Sequence, residues 1–214
     1  MSLSETVARD LLRIGAVTLR PDDPFTWASG RLSPVYTDNR LTLSHPDVRG
    51  RIADGLAELA RRVGRAEAVS GTATAGIAHG ALVADRLGLP FSYVRSEAKG
   101  HGKENRVEGR VGPGQRVVLV EDLVSTGGSV LSAAGALRGA GGAVAAALAV
   151  FTYGFPEATL AFDDAGLALH ALTDFEALAR AAAETGALGA DAWDVLREWR
   201  DDPAAWSRAR GGTG

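Results

Sequence analysis

The 214-residue chain contains no cysteine, which excludes both a disulfide framework and a thiolate metal site. Lysine is nearly absent. Lys99 and Lys103 are the only two, and the other 21 of the 23 basic residues are arginine. No stretch is apolar for long enough to span a bilayer as a helix, so no membrane association is expected. The opening residues, MSLSETVARDLLRIGAV, carry acidic side chains and lack the apolar core of a secretory leader, which predicts a cytoplasmic protein. Excess positive charge is also missing. A net charge of -3 and a pI near 5.8 argue against nucleic acid as the partner, because a phosphate backbone needs a basic face.

What the chain does have is the composition of one globular domain, 46% hydrophobic and 23% charged, with no internal repeat. Apolar spacing predicts helices over residues 4–17 and 45–63, separated by an irregular stretch punctuated by Pro21, Pro24, Gly30 and Pro34. A strand at 67–71, a helix at 75–88 and a strand at 91–95 follow. RVVLVED, residues 116–122, is a continuous apolar and mostly β-branched run, the pattern of a strand buried on both faces of a parallel sheet. A helix carrying Val130, Ala134 and Leu137 is stopped by the glycines of 139–142, and VAAALAVFTY is a second buried strand. A helix at 156–164, a strand at 167–172 and helices at 174–184 and 190–201 complete the pattern, with the last dozen residues expected to fray. Such alternation predicts an α/β domain with a largely parallel sheet.

VVLVEDLVSTGGS passes from strand to loop to helix, where open parallel sheets bind ligands. Gly127 and Gly128 let the backbone approach a ligand, and the free N–H groups of the turn and helix start converge on one concavity suited to phosphate. Ser125, Thr126 and Ser129 add hydroxyls. Glu121 and Asp122 would repel a phosphate, so they are expected to face sugar hydroxyls or Mg²⁺. No Gly-Lys-Ser/Thr follows the loop, which excludes a Walker-type nucleotide site there. GTATAG, residues 71–76, has the form of a second backbone anion site. SEAKGHGKENRVEG, residues 96–109, holds both lysines among three glycines and few apolar anchors, as a solvated charged loop or a lid would.

These segments resemble, in order, the motifs of the type I phosphoribosyltransferases, and in particular the orotate branch of that family. VVLVEDLVSTGGS is similar to the ribose-phosphate motif, FTWASGRLSPVYTDNR to the orotate-binding hood, GTATAGIAHGALVA to the pyrophosphate loop, and YVRSEAKGHGKENRVEG to the mobile catalytic loop. The resemblance runs from about residue 5 to residue 155. It implies a central, mostly parallel five-stranded sheet flanked by helices, in a single domain over 1–214. The hood would be formed mainly by about residues 1–40 with part of the C-terminal region. It implies transfer of the phosphoribosyl group of 5-phosphoribosyl 1-diphosphate (PRPP) to orotate with Mg²⁺, in a homodimer with shared active sites.

Carried over residue by residue, the resemblance assigns Arg95, Lys99 and His101 to the diphosphate and to catalysis. Glu121 and Asp122 fall on the ribose, and Leu123, Val124, Ser125, Thr126, Gly127, Gly128 and Ser129 on the rest of PRPP. Ser125, Ser29, Gly30, Arg31 and Tyr36 would meet orotate, the Arg31 guanidinium being a fork suited to a carboxylate. No metal would be held by protein alone; Mg²⁺ would arrive through PRPP, near Asp122. The chain departs from the pattern at Ala28, Ala75 and Ser96, where some family members have lysine. A purine-salvage transferase would share the phosphate loop but lack the FTWASGR hood and the lid. A PRPP-sensing regulator would need a basic face.

Overall fold

The computed structural model describes residues 1–27, 29–97, 106–186, 188 and 192–214. Helix α1 (Leu3–Arg13) starts at a reciprocal cap: the Ser2 hydroxyl accepts from the Glu5 N–H, and the Glu5 carboxylate from the Ser2 N–H. It ends four residues earlier than its periodicity predicts. Gly15 adopts a positive φ of 72°, and the β-branched Val17 and Thr18 leave the helix to form β1 (Val17–Leu19). The proline-rich stretch, expected to be irregular, folds back as β2 (Phe25–Thr26), β3 (Leu32–Ser33) and β4 (Val35–Thr37). These make two small antiparallel pairs, β1 with β4 and β2 with β3.

A 3₁₀ helix, Asn39–Ser44, leads into α2 (Pro46–Val63). Then come β5 (Ala68–Thr72), α3 (Ala75–Leu87), β6 (Phe91–Val94), β7 (Val107–Glu108), β8 (Arg116–Val124), α4 (Gly128–Gly139), β9 (Ala143–Thr152), α5 (Pro156–Asp164), β10 (Leu169–Asp174), α6 (Phe175–Glu184), α7 (Ala192–Asp201) and α8 (Pro203–Ala209). The central sheet has the order β10-β9-β8-β5-β6-β7. Its first five strands are parallel, as expected. The sixth, β7, is a two-residue antiparallel addition beside β6 that is too short to show a pattern in sequence.

The unbroken apolar run of β8 is explained by its burial on both faces. Val118 and Val120 point into a core with Val7, Leu11, Ile52, Leu56 and Val83, beneath α1, α2 and α3. Val117 and Leu119 point the other way, into a core with Val130, Leu137 and Phe162, beneath α4 and α5. The C-terminal third closes the first of these cores. Trp199 of α7 is fully buried and sits edge-on to Trp27, Tyr153 and Phe155 at ring distances of 6.5, 5.4 and 5.4 Å. The end of the chain is not frayed. Asp202 caps α8 by accepting from the Ala205 N–H, Pro203 occupies its first turn, and Trp206 and Ser207 are buried. Among the described residues no helix is long and apolar enough to cross a membrane.

Candidate active site

The carboxyl ends of β5 and β8, with the chain after β4, enclose a cavity of about 450 Å³. Its walls include Thr37, Asn39, Thr74, Glu121, Asp122 and Ser129. Two larger hollows, of about 620 and 580 Å³, lie between β7 and the end of α4 and between α1, β1 and α6. Neither is at a strand-to-helix turn with free amides, so the smaller cavity is the one placed for chemistry.

Glu121 and Asp122 end the buried run of β8 and differ sharply. Glu121 is 6% exposed, and its carboxyl is pushed up to about 9. Burial is the main cause, followed by a hydrogen bond to Asp122 and the Asp122 charge. Its Oε1 accepts from the Asp122 N–H at 3.0 Å. The bond from the Asp122 N–H, and then the nearby buried Thr72 hydroxyl, offset part of the rise. Asp122 stands at the cavity wall, half-buried. Asn39 fixes its backbone, with Nδ2 donating to the Asp122 carbonyl at 2.8 Å. Thr42 in turn donates to the Asn39 carbonyl at 2.6 Å. His79 of α3, 3.5 Å from the Thr42 hydroxyl, is buried below its neighbours and held under its usual pKa by burial.

The loop after β8 supplies the expected turn. Gly127 has a φ of 86° and so takes a left-handed conformation. A Cβ there would also come within 2.7 Å of the Phe162 ring. Gly128 is different: it has no positive φ, and a Cβ on it would meet nothing within 4 Å. The fold itself does not require glycine at 128. On the opposite wall, the Ala73–Thr74 peptide is cis, and Ala73, Thr74 and Ala75 line the cavity. The glycines around this turn serve close packing. A Cβ on Gly76 would lie 2.4 Å from the Val120 carbonyl, and one on Gly71 would lie 2.7 Å from the Gly76 carbonyl.

The remaining predicted residues are spread around this centre. Arg95 follows β6, at the base of the 96–105 segment. Its N–H donates to the Arg106 carbonyl at 2.9 Å, and its guanidinium is 3.8 Å from Glu108. Lys99, His101 and Lys103 lie outside the described residues, as does Ala28. Tyr36 is 45% exposed, packs on Phe25 at 5.4 Å, and precedes Thr37 of the cavity wall. Ser29, Gly30 and Arg31 occupy the β2–β3 turn, where the Gly30 N–H closes on the Trp27 carbonyl at 2.8 Å. Sequence reasoning did not single out Thr37, Asp38, Asn39 and Arg40, although YTDNR stands within the segment that carried the hood resemblance.

No group of three or more His, Asp or Glu that could hold a metal occurs among the described residues. The donor set nonetheless suits a divalent cation delivered with oxygen-rich substrate. Asp122 is a hard oxygen ligand open to the cavity, and the remaining coordination positions would fall to phosphate oxygens and water.

A strand, a glycine turn and a helix start facing a second backbone loop, with an acidic pair between them, is a layout for a phosphorylated sugar. Comparison with known proteins agrees. Residues 48–161 match the phosphoribosyl transferase domain model. The orotate phosphoribosyltransferase of Streptococcus gordonii is 48% identical over 207 residues, covering 96% of this chain and 99% of its own. That of Bacillus pumilus is 54% identical over 202 residues, covering 94% and 95%. The crystal structure of orotate phosphoribosyltransferase from Aeropyrum pernix superposes with a TM-score of 0.73 at 34% identity, covering 86% of this chain and 99% of that one. With its sheet, its loop and nearly its whole length shared with these relatives, the chain belongs to the phosphoribosyl transferase domain family and, within it, to the orotate phosphoribosyltransferases.

Proposed function

We propose that the chain transfers the 5-phosphoribosyl group of PRPP to orotate, giving orotidine 5'-monophosphate and diphosphate for pyrimidine biosynthesis, and that it works in the cytoplasm as a homodimer with Mg²⁺. The observation that carries this is the acidic pair at the carboxyl end of β8, set between the 125–129 turn and the 73–75 turn.

In this reading the amides and hydroxyls of Ser125, Thr126, Gly127, Gly128 and Ser129 hold the 5-phosphate at the start of α4. Glu121 and Asp122 take the ribose hydroxyls. With its carboxyl up near 9, Glu121 holds a proton at neutral pH, which lessens the negative charge beside the substrate phosphates. The backbone of Ala73–Ala75 faces the diphosphate, and Arg95, Lys99 and His101 add positive charge over it. Tyr36 and the turn at Ser29, Gly30 and Arg31 meet the base, with Arg31 opposite its carboxylate and Ser125 at its edge.

The reaction forms a bond from the orotate ring nitrogen to the anomeric carbon and breaks the bond from that carbon to diphosphate, which leaves with the electron pair; the proton lost from the ring nitrogen goes to the departing diphosphate or to water. No protein nucleophile is required. The side chains position two substrates and stabilise the charge that builds on the leaving group. Mg²⁺, held by Asp122 and the substrate's own oxygens, would neutralise diphosphate charge. A lid over both substrates, the part the family resemblance gives to the segment that holds Lys99, would limit attack by water. Purified protein incubated with orotate, PRPP and Mg²⁺ should release diphosphate and a product with the mass of orotidine monophosphate, and a chelator should stop it. Diphosphate release at the same rate without orotate would overturn the assignment.

A further inference from the structure

We propose that Ser207 and Thr213 are positioning residues for the base: the 207–213 segment is a strap that fixes the β2–β3 turn. This rests on the reading of Ser29, Gly30 and Arg31 as a base-binding turn given above.

The hairpin is a weak element by itself. Strands β2 and β3 have two residues each and two cross-strand pairs, Phe25 with Ser33 and Thr26 with Leu32. An isolated hairpin even of ordinary length is marginal in water. Here the turn is held from outside. The Thr213 N–H donates to the Gly30 carbonyl at 3.0 Å, and the Thr213 hydroxyl donates to the Ser29 carbonyl at 3.0 Å. The Ser207 hydroxyl accepts from the Leu32 N–H at 2.9 Å and donates to the Thr213 carbonyl. One fully buried hydroxyl therefore ties β3 to the strap.

The fit is close enough to dictate sequence. A Cβ on Gly212 would lie 2.5 Å from the Ser207 hydroxyl and 2.7 Å from Leu32 Cγ. A Cβ on Gly30 would lie 3.0 Å from Thr213 Cγ2. The strap is anchored by α8, where Trp206 is 2% exposed and Arg210 lies 4.0 Å over its ring.

The held turn is coupled to the cavity by a short path. From Leu32 the chain passes to Ser33, whose buried hydroxyl donates to the Val35 carbonyl at 2.8 Å and accepts from the Val35 N–H at 3.2 Å. Tyr36 and Thr37 follow directly, and Thr37 lines the cavity. None of the strap residues lines it. The strap thus acts on where the base-facing groups stand, and its loss should be felt by orotate rather than by PRPP.

The test is steady-state kinetics on the full chain, with both substrates varied. Thr213→Val and Ser207→Ala should each raise KM for orotate about fivefold, the scale of one lost hydrogen bond. Removal of residues 212–214 should raise it about tenfold or more, with kcat and KM for PRPP within about twofold of wild type. Thr213→Ser keeps the hydroxyl and should restore wild-type behaviour. If Ser207→Ala does not fold, Thr213→Val, on the exposed side of the strap, decides alone. Arg31→Gln separates the inference from its premise. Should Arg31→Gln raise KM for orotate while the strap variants match wild type, the strap is overturned and the base site stands. Should Arg31→Gln leave KM for orotate unchanged, the base-site reading itself falls. A lower KM for orotate after removal of 212–214 would show the strap competing with the base, and a parallel loss of kcat, both KM values and thermal stability would show a merely structural role; either overturns the proposal.

Discussion

Glu121 and Asp122 are neighbours on one strand end, and burial, a hydrogen bond to Asp122 and the Asp122 charge together push the Glu121 carboxyl up. The Glu121 carboxyl, pushed up to about 9 from an ordinary 4.5, keeps a proton in the folded protein that the unfolded chain has lost. Between those values the folded state binds more protons, so this group's contribution to stability falls as pH rises from about 4.5 through about 9. His79 acts with the opposite sign. Its folded pKa is depressed by burial, so its contribution is present above the usual histidine value near 6.5 and is lost below it. The window from pH 7 to 9 therefore isolates Glu121. We expect the melting temperature of ligand-free wild type to fall across that window and the fall to shrink in Glu121→Gln, measured by calorimetry in matched buffers. Identical slopes would mean that Glu121 is ionised in the fold. The acidic pair was legible in sequence because two carboxylates ending an apolar strand have no structural reason to be there. The role of Asn39 was not. Its hydrogen bond to Asp122 spans 83 positions, and no local pattern announces a contact of that range.

The elements sort by how much of their cause is local. Strands β8 and β9 and helix α2 lie almost where apolar periodicity puts them, since burial on two faces or along one stripe writes a long, repeated signal. Helix α1 ends early because Gly15 turns the chain and the pairing of β1 with β4 claims Val17, the last residue that periodicity puts in the helix. Helix α8 had a signal, Asp202 before Pro203, masked by the glycines that follow it. Two glycines in the first turns of their helices, Gly76 of α3 and Gly128 of α4, give a contrast at this scale. Gly76→Ala drives a Cβ to 2.4 Å from the Val120 carbonyl, where backbone must shift, and should destabilise the protein by about 1–3 kcal/mol. Gly128→Ala meets nothing in the protein and places a better helix former in the first turn of α4. Its melting temperature should match or exceed wild type, while KM for PRPP rises because the added methyl faces the phosphate. Unchanged use of PRPP by Gly128→Ala would remove the phosphate role of that turn.

At the scale of the whole molecule, the proposed homodimer with shared active sites is tested by whether Lys99 serves the partner subunit's site. Lys99→Ala and Asp122→Asn should each be nearly inactive alone. Mixed after unfolding and refolding, they form hybrids in about half the dimers by random pairing, and one site in each hybrid is intact. Activity should then recover to roughly a quarter of wild type. No recovery, with hybrids confirmed by mass, would put Lys99 in its own subunit's site. A cavity between the β5 and β8 strand ends suits PRPP whatever the acceptor base, and in the proposed assignment orotate is recognised by the turn at Ser29, Gly30 and Arg31, by Tyr36 and by Ser125. The most direct measurement is therefore kcat/KM for orotate against hypoxanthine and adenine, each at saturating PRPP and Mg²⁺. We predict a preference for orotate of more than about a hundredfold, because a site built around a charged carboxylate leaves Arg31 unpaired with a purine. Equal or better turnover of either purine would contradict the account.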